Sequence, residues 1–133
     1  MFILSKHPHS NPALESLMVS HETENFEVRL YPNLGASLQE FVKNNVQIID
    51  GITNDEAGLE TYKNRYTSSW LFPFPNRISN GKYTFENNNY ELDINEKALN
   101  NALHGFVFNK HFKLIEENTS EDSVFLKFHY TYT

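Results

Sequence analysis

Cysteine is absent from the 133-residue chain. That excludes a disulfide scaffold, a thiolate metal site and a thiol nucleophile together. Basic residues are few: 11 Lys and Arg stand against 17 Asp and Glu, for a formal charge of −6. Binding to a phosphate backbone draws most of its affinity from basic side chains, so no nucleic-acid partner is expected. The charge says little about neutral ligands such as sugars. Long apolar runs are missing as well. The longest, Trp70 to Pro75, is far short of the roughly 20 residues that cross a bilayer as a helix. At the start, Met1-Phe2-Ile3-Leu4 gives way to Ser5, Lys6, His7 and Pro8, too soon for a signal-peptide core. A cytoplasmic protein without a membrane partner is the reading. There is also no glycine-rich phosphate loop and no nucleophile elbow.

Aromatic residues are plentiful, with eleven Phe and seven Tyr. Together with the β-branched residues they favour sheet over helix bundle. The length suits one domain, 1–133, rather than two. Phe26, Val28 and Leu30 alternate with Glu27 and Arg29, and Tyr31-Pro32-Asn33-Leu34-Gly35 ends the run. Ala36 to Val42 and Val46 to Ile49 read as two further strands. Residues 53–68 lack alternation and fit a short helix or a long loop. Two prolines exclude a regular helix from Trp70 to Pro75 and argue against a central strand. A hairpin follows, with Tyr83 and Phe85 on one strand, Tyr90, Leu92 and Ile94 on the next, and Glu86 to Asn89 between them. The last strands lie around Phe112 to Glu116 and Val124 to Tyr132. In the latter, Val124, Leu126, Phe128, Tyr130 and Tyr132 share a face. The fold class is mainly β and antiparallel.

Two segments carry candidate chemistry. In Leu71-Phe72-Pro73-Phe74-Pro75-Asn76-Arg77-Ile78 the prolines stiffen the backbone that leads into Asn76 and Arg77. Arginine offers five donors in a fixed fork and asparagine offers both donors and an acceptor, which suits an array of sugar hydroxyls. On chemistry alone, a turn with the arginine bonded to backbone carbonyls is the commoner arrangement. In Asn100-Asn101-Ala102-Leu103-His104-Gly105-Phe106, an imidazole precedes a glycine that permits close approach. Taken alone, a histidine satisfied by hydrogen bonds within a turn is the commoner explanation of that segment. His7-Pro8-His9 supplies too few converging ligands for a metal, at an N-terminus expected to be loose. His111 and His129 fall on expected strands. Asp50-Gly51 and Asn54-Asp55-Glu56 lack the EF-hand spacing and read as a solvated loop.

Taken in order, Pro73-Phe74-Pro75-Asn76-Arg77-Ile78, Gly81-Lys82-Tyr83-Thr84-Phe85, Tyr90-Glu91-Leu92, Asn95 and Asn101-Ala102-Leu103-His104-Gly105-Phe106 resemble the N-terminal half of the aldose 1-epimerase family. Asn33-Leu34-Gly35-Ala36 is similar to that family's first strand pair. The resemblance implies a large antiparallel β-sandwich, the galactose mutarotase-like supersandwich, of which this chain is the N-terminal part. It implies that Asn76 and Arg77 hold sugar hydroxyls, and that His104 lies beside the ring and bonds substrate. The implied reaction interconverts the α and β anomers of an aldose such as galactose or glucose. One group takes the proton of the anomeric hydroxyl, another protonates the ring oxygen, and each is worth roughly 10²–10⁴ in rate. No metal or other cofactor is needed, and the implied partner is a hexose.

The departures are as informative. Members of the family are more than twice this long, and their principal acid histidine and base glutamate lie in the portion this chain lacks. Glu96, Glu116 and Glu117 match no family motif, and Phe112 stands where tryptophan is common. The chain also stops at Thr133, directly after a strongly alternating strand. The expectation is therefore a fragment that positions substrate without turning it over. Its alternative is a noncatalytic carbohydrate-binding module. Exposed sheet edges in either case predict self-association or pairing with the absent C-terminal portion.

Overall fold

The alternating stretch at Phe26 becomes the middle strand of a five-stranded antiparallel meander in the computed structural model, which describes residues 1–133. Its strands, in spatial and sequence order, are β1 (Phe2–His7), β2 (Ser16–His21), β3 (Phe26–Tyr31), β4 (Ser37–Lys43) and β5 (Val46–Gln47). Leu4, Val19, Val28 and Phe41 stand in one row across four of them. The rings of Phe2, Phe26 and Phe41 extend that apolar face edge-to-face, with centroids 5.3 and 5.5 Å apart. On the other face, Arg29 lies opposite Met18 and Glu40 and donates to Ser16 Oγ.

A bulge in β4 breaks the alternation. Arg29 pairs with Glu40 and Leu30 with Leu38, so Gln39 is the extra residue. The bulge turns Gln39 inward, where it is 1% exposed. Its amide nitrogen donates to Ser37 Oγ at 3.0 Å and to the Thr67 carbonyl at 2.8 Å, while its oxygen accepts from the Ile52 N–H. A buried amide with these partners escapes the cost of an unsatisfied polar group.

The undecided stretch 53–68 contains a helix, α1 (Glu56–Arg65). Asp55 caps it by accepting from the Gly58 N–H at 2.8 Å, Glu56 sits in its first turn, and Lys63 and Arg65 occupy its last. Leu59 and Tyr62 bury against Leu14, Tyr31, Leu34 and Ile52 to form the core. The Tyr62 hydroxyl shares its proton between the carbonyls of Leu34 and Phe108, at 2.9 and 2.6 Å. The hairpin β10 (Lys113–Thr119) and β11 (Val124–His129) belongs to the same compact unit, which comprises Met1–Trp70 and Phe108–Thr133.

The second unit is Leu71–Val107. It contains β6 (Arg77–Ser79) paired with β9 (Asn101–Leu103), and the hairpin β7 (Lys82–Phe85) with β8 (Asn88–Glu91).

Several expectations need correction. The N-terminus is not loose: residues 2–7 are a strand hydrogen-bonded along their length to β2. The β7–β8 turn is two residues, not four. Glu86 and Asn87 both have positive φ, and Asn88 and Asn89 already belong to β8, opposite Phe85 and Thr84. Tyr130 and Tyr132 lie beyond the end of β11. As the prolines require, Trp70 to Pro75 is neither helix nor strand. No helix is long and apolar enough to cross a membrane.

Candidate functional site

Asn76, Arg77 and His104 meet at one end of the β6–β9 ladder. The register sets Arg77 opposite Leu103, so the residues just before and just after that pair face one another. Asn76 and His104 both adopt the left-handed conformation, at φ 63° and 60°. Asn and His tolerate this region better than most residues, though it remains a strained choice. Two hydrogen bonds hold them there. The His104 N–H donates to the Asn76 carbonyl at 2.9 Å, and the Asn76 N–H donates to His104 Nδ1 at 3.0 Å. Since Nδ1 accepts, the neutral ring carries its proton on Nε2.

Gly105 makes this turn possible. Its φ is 69°, and a Cβ there would lie 2.0 Å from the Phe72 carbonyl oxygen. That oxygen accepts from the Phe106 N–H at 3.0 Å, which ties the His-Gly segment to the proline-rich one. Nearby, the Asn95 side chain bonds both backbone groups of Leu103, accepting at 2.6 Å and donating at 2.8 Å.

Arg77 does not bond backbone carbonyls. Its Nε donates to both oxygens of Glu96, at 3.1 and 2.8 Å, and its Nη2 donates to Oε1 at 2.7 Å. Nη1 reaches Asn76 Oδ1 at 3.4 Å. Glu96 is held in turn by Asn101, whose side-chain amide donates to Oε2 at 2.7 Å. Hydrogen bonds from Arg77 first, and then from Asn101, pull the Glu96 carboxyl down to about 2. The same pairing raises the Arg77 guanidinium above its ordinary value. Of the five guanidinium protons, Glu96 and Asn76 take three, which leaves one on each Nη. The arrangement is rich in hydrogen-bond donors: two guanidinium protons beyond those bonds, and the Asn76 side-chain amide. It offers no carboxylate base, because the one carboxylate present is bound to arginine.

Sequence reasoning found Asn76, Arg77 and His104, and the fold brings them together. It passed over Glu96. The only signal was its place between Asn95 and Asn101, and only the isolated bridge between Glu96 and Asn101 turns that spacing into contact. The other candidates serve locally. Asn54 donates to the Leu14 carbonyl and the Tyr31 hydroxyl, and Asp55 caps α1. His9 Nδ1 accepts from the Asn11 N–H, and His111 bonds Asn33. His111 lies outside any strand, and His129 ends β11 exposed. A cleft of about 790 Å³ in the larger unit, lined by Lys6, Leu17, His111, Phe112 and Glu116 among others, includes none of the three site residues.

The family model described as aldose 1-epimerase matches residues 18–132. A galactose mutarotase-like protein from Clostridium acetobutylicum has the same fold over 99% of this chain, with a TM-score of 0.77 and 24% identity. Galactose 1-epimerase from Lactobacillus acidophilus NCFM matches 90% of it, with a TM-score of 0.62 and 14% identity. An uncharacterized Escherichia coli K12 protein, YihR, is 46% identical over 37 residues, 28% of this chain. The chain spans 39% and 35% of the two solved structures and 12% of YihR. With its mainly antiparallel β fold and a family match along most of its length, the chain belongs to the aldose 1-epimerase family.

Proposed function

We propose that this chain supplies the substrate-positioning part of a mutarotase acting on a free aldose such as galactose or glucose. The observation that carries the reading is that Asn76, Arg77 and His104 lie together at one end of the β6–β9 ladder, joined by hydrogen bonds. Guanidinium and amide protons suit sugar hydroxyls. A neutral His104 with its proton on Nε2 suits an oxygen of the ring, where it polarises or steadies developing charge. Ring opening also needs a base for the anomeric hydroxyl and an acid for the ring oxygen. In this reading further polypeptide supplies both, and the 133-residue chain alone is inactive. The setting is cytoplasmic, with no cofactor, and exposed side chains such as Ile3, Val46 and Phe125 favour association with that further polypeptide or with a second copy.

The lack of an unengaged carboxylate at the site favours a second reading, a carbohydrate-binding module without turnover. Polarimetry of freshly dissolved α-D-galactose and α-D-glucose separates the two. Mutarotation by a longer polypeptide containing this chain, but not by the chain alone, supports the first. Sugar binding without mutarotation by either supports the second. Arg77→Ala should weaken sugar affinity roughly ten- to a hundredfold, the scale of a lost charged hydrogen bond. Unchanged affinity in a folded variant removes Arg77 from the site.

A further inference from the structure

The Arg77 guanidinium sits in the middle of an unbroken hydrogen-bonded series. Asn101 holds Glu96, Glu96 holds Arg77 through Nε and Nη2, Arg77 Nη1 reaches Asn76 Oδ1, and the Asn76 backbone holds His104 Nδ1. The Glu96 side chain is largely covered at 16% exposure, while that of Arg77 is half exposed at 49%. The carboxylate thus lies on the inner side of the guanidinium and the remaining N–H groups on the outer. A side-on, two-point grip fixes the plane of the guanidinium as well as its position, which a single bond cannot do. It also cancels the arginine's charge, so the exposed edge acts as an oriented donor pair rather than as an attractor of anions.

We propose that Glu96 is a positioning residue for sugar binding: it acts through Arg77, setting the guanidinium plane so that its outer edge faces the sugar, and it does not touch sugar itself. The assignment rests on the sugar-binding reading above. A purely structural carboxylate would change stability and leave the Arg77-dependent part of the affinity alone. A positioning carboxylate changes affinity only while Arg77 is present.

The test is a ¹⁵N-labelled 133-residue chain titrated with D-galactose by NMR, alongside Glu96→Gln, Arg77→Ala and the double variant. Glu96→Gln should weaken galactose binding about tenfold and shift the Arg77 Nε–H resonance, because a charged two-point grip becomes a neutral one. The double variant should bind no more weakly than Arg77→Ala alone, since the second change has nothing left to act through. Wild-type affinity in Glu96→Gln, or losses that add in full in the double variant, overturns the proposal and leaves the sugar-binding reading standing. Absence of galactose-induced shifts in the unaltered chain overturns that reading and this assignment with it. If Glu96→Gln loses its dispersed amide spectrum, Asn101→Ser, which removes only the hold on Oε2, takes its place under the same additivity criterion.

Discussion

Met1–Trp70 with Phe108–Thr133 buries Leu14, Tyr31, Leu34, Ile52, Leu59 and Tyr62 almost completely, whereas Leu71–Val107 buries few apolar side chains beyond Ala102, Leu103 and Val107. The smaller unit is organised by Asn76, Arg77, Asn95, Glu96, Asn101 and His104, each hydrogen-bonded to another member of its own segment. A buried leucine is worth about 1.5–3 kcal/mol, while a typical net hydrogen bond is worth about 1. One unit is therefore built chiefly to fold. The other is held together chiefly by polar side chains that bond within their own segment.

Truncating the large core should give the largest effect. Leu59→Ala removes a side chain that is 3% exposed and should cost about 2–5 kcal/mol, read from urea denaturation. An unchanged midpoint would erase the contrast between the units. Gly105→Ala comes next. The added methyl meets the Phe72 oxygen, and a left-handed alanine costs about 1–2 kcal/mol in addition. Galactose binding should disappear while the denaturation midpoint shifts less than for Leu59→Ala, and preserved binding would mean that the His-Gly turn does not set the site. The smallest effect is acid dependence. The folded Glu96 carboxyl lies near 2 against an ordinary 4.5, so its interactions stabilise the fold above pH 4.5 and are lost as pH falls toward 2. Glu24 and Asp55 in the larger unit are lowered too, by the Lys43 hydrogen bond and by the α1 N-terminal N–H respectively, so total acid sensitivity is shared. The stability difference between the unaltered chain and Glu96→Gln isolates the smaller unit's share. It should hold constant above pH 4.5 and close by pH 2, and a pH-independent difference would break the attribution.

Legibility in the sequence also differs between elements, for physical reasons. β3 and β7 were readable because apolar and polar side chains alternate along them, whereas β8 is Asn88-Asn89-Tyr90-Glu91, without alternation, so its asparagines read as turn and the expected Leu92 and Ile94 lie beyond its end. β1 and β2 were not readable: in Ser16-Leu17-Met18-Val19, the serine, Leu17 and Val19 are all buried, so the period-two signal vanishes. α1 stayed ambiguous because only Leu59 and Tyr62 bury large side chains along its ten residues. Asn76, Arg77 and His104 were legible as an ordered motif. Glu96 was not, because its link to Arg77 spans 19 residues and exists only through strand register and a bridge to Asn101.

The larger unit is interrupted in sequence, and this bears on the order in which a ribosome could let it form. The meander and α1 are complete once Arg65 has been made, yet several of their bonds wait for later residues. The Tyr62 hydroxyl meets the Phe108 carbonyl, and the Phe2 N–H meets that of Ser120, nearly the whole length of the chain away. Until those residues emerge, β1 is an edge with an unmet N–H, open to strands of other nascent chains. Vectorial synthesis thus leaves the first strand waiting longest for its last partner.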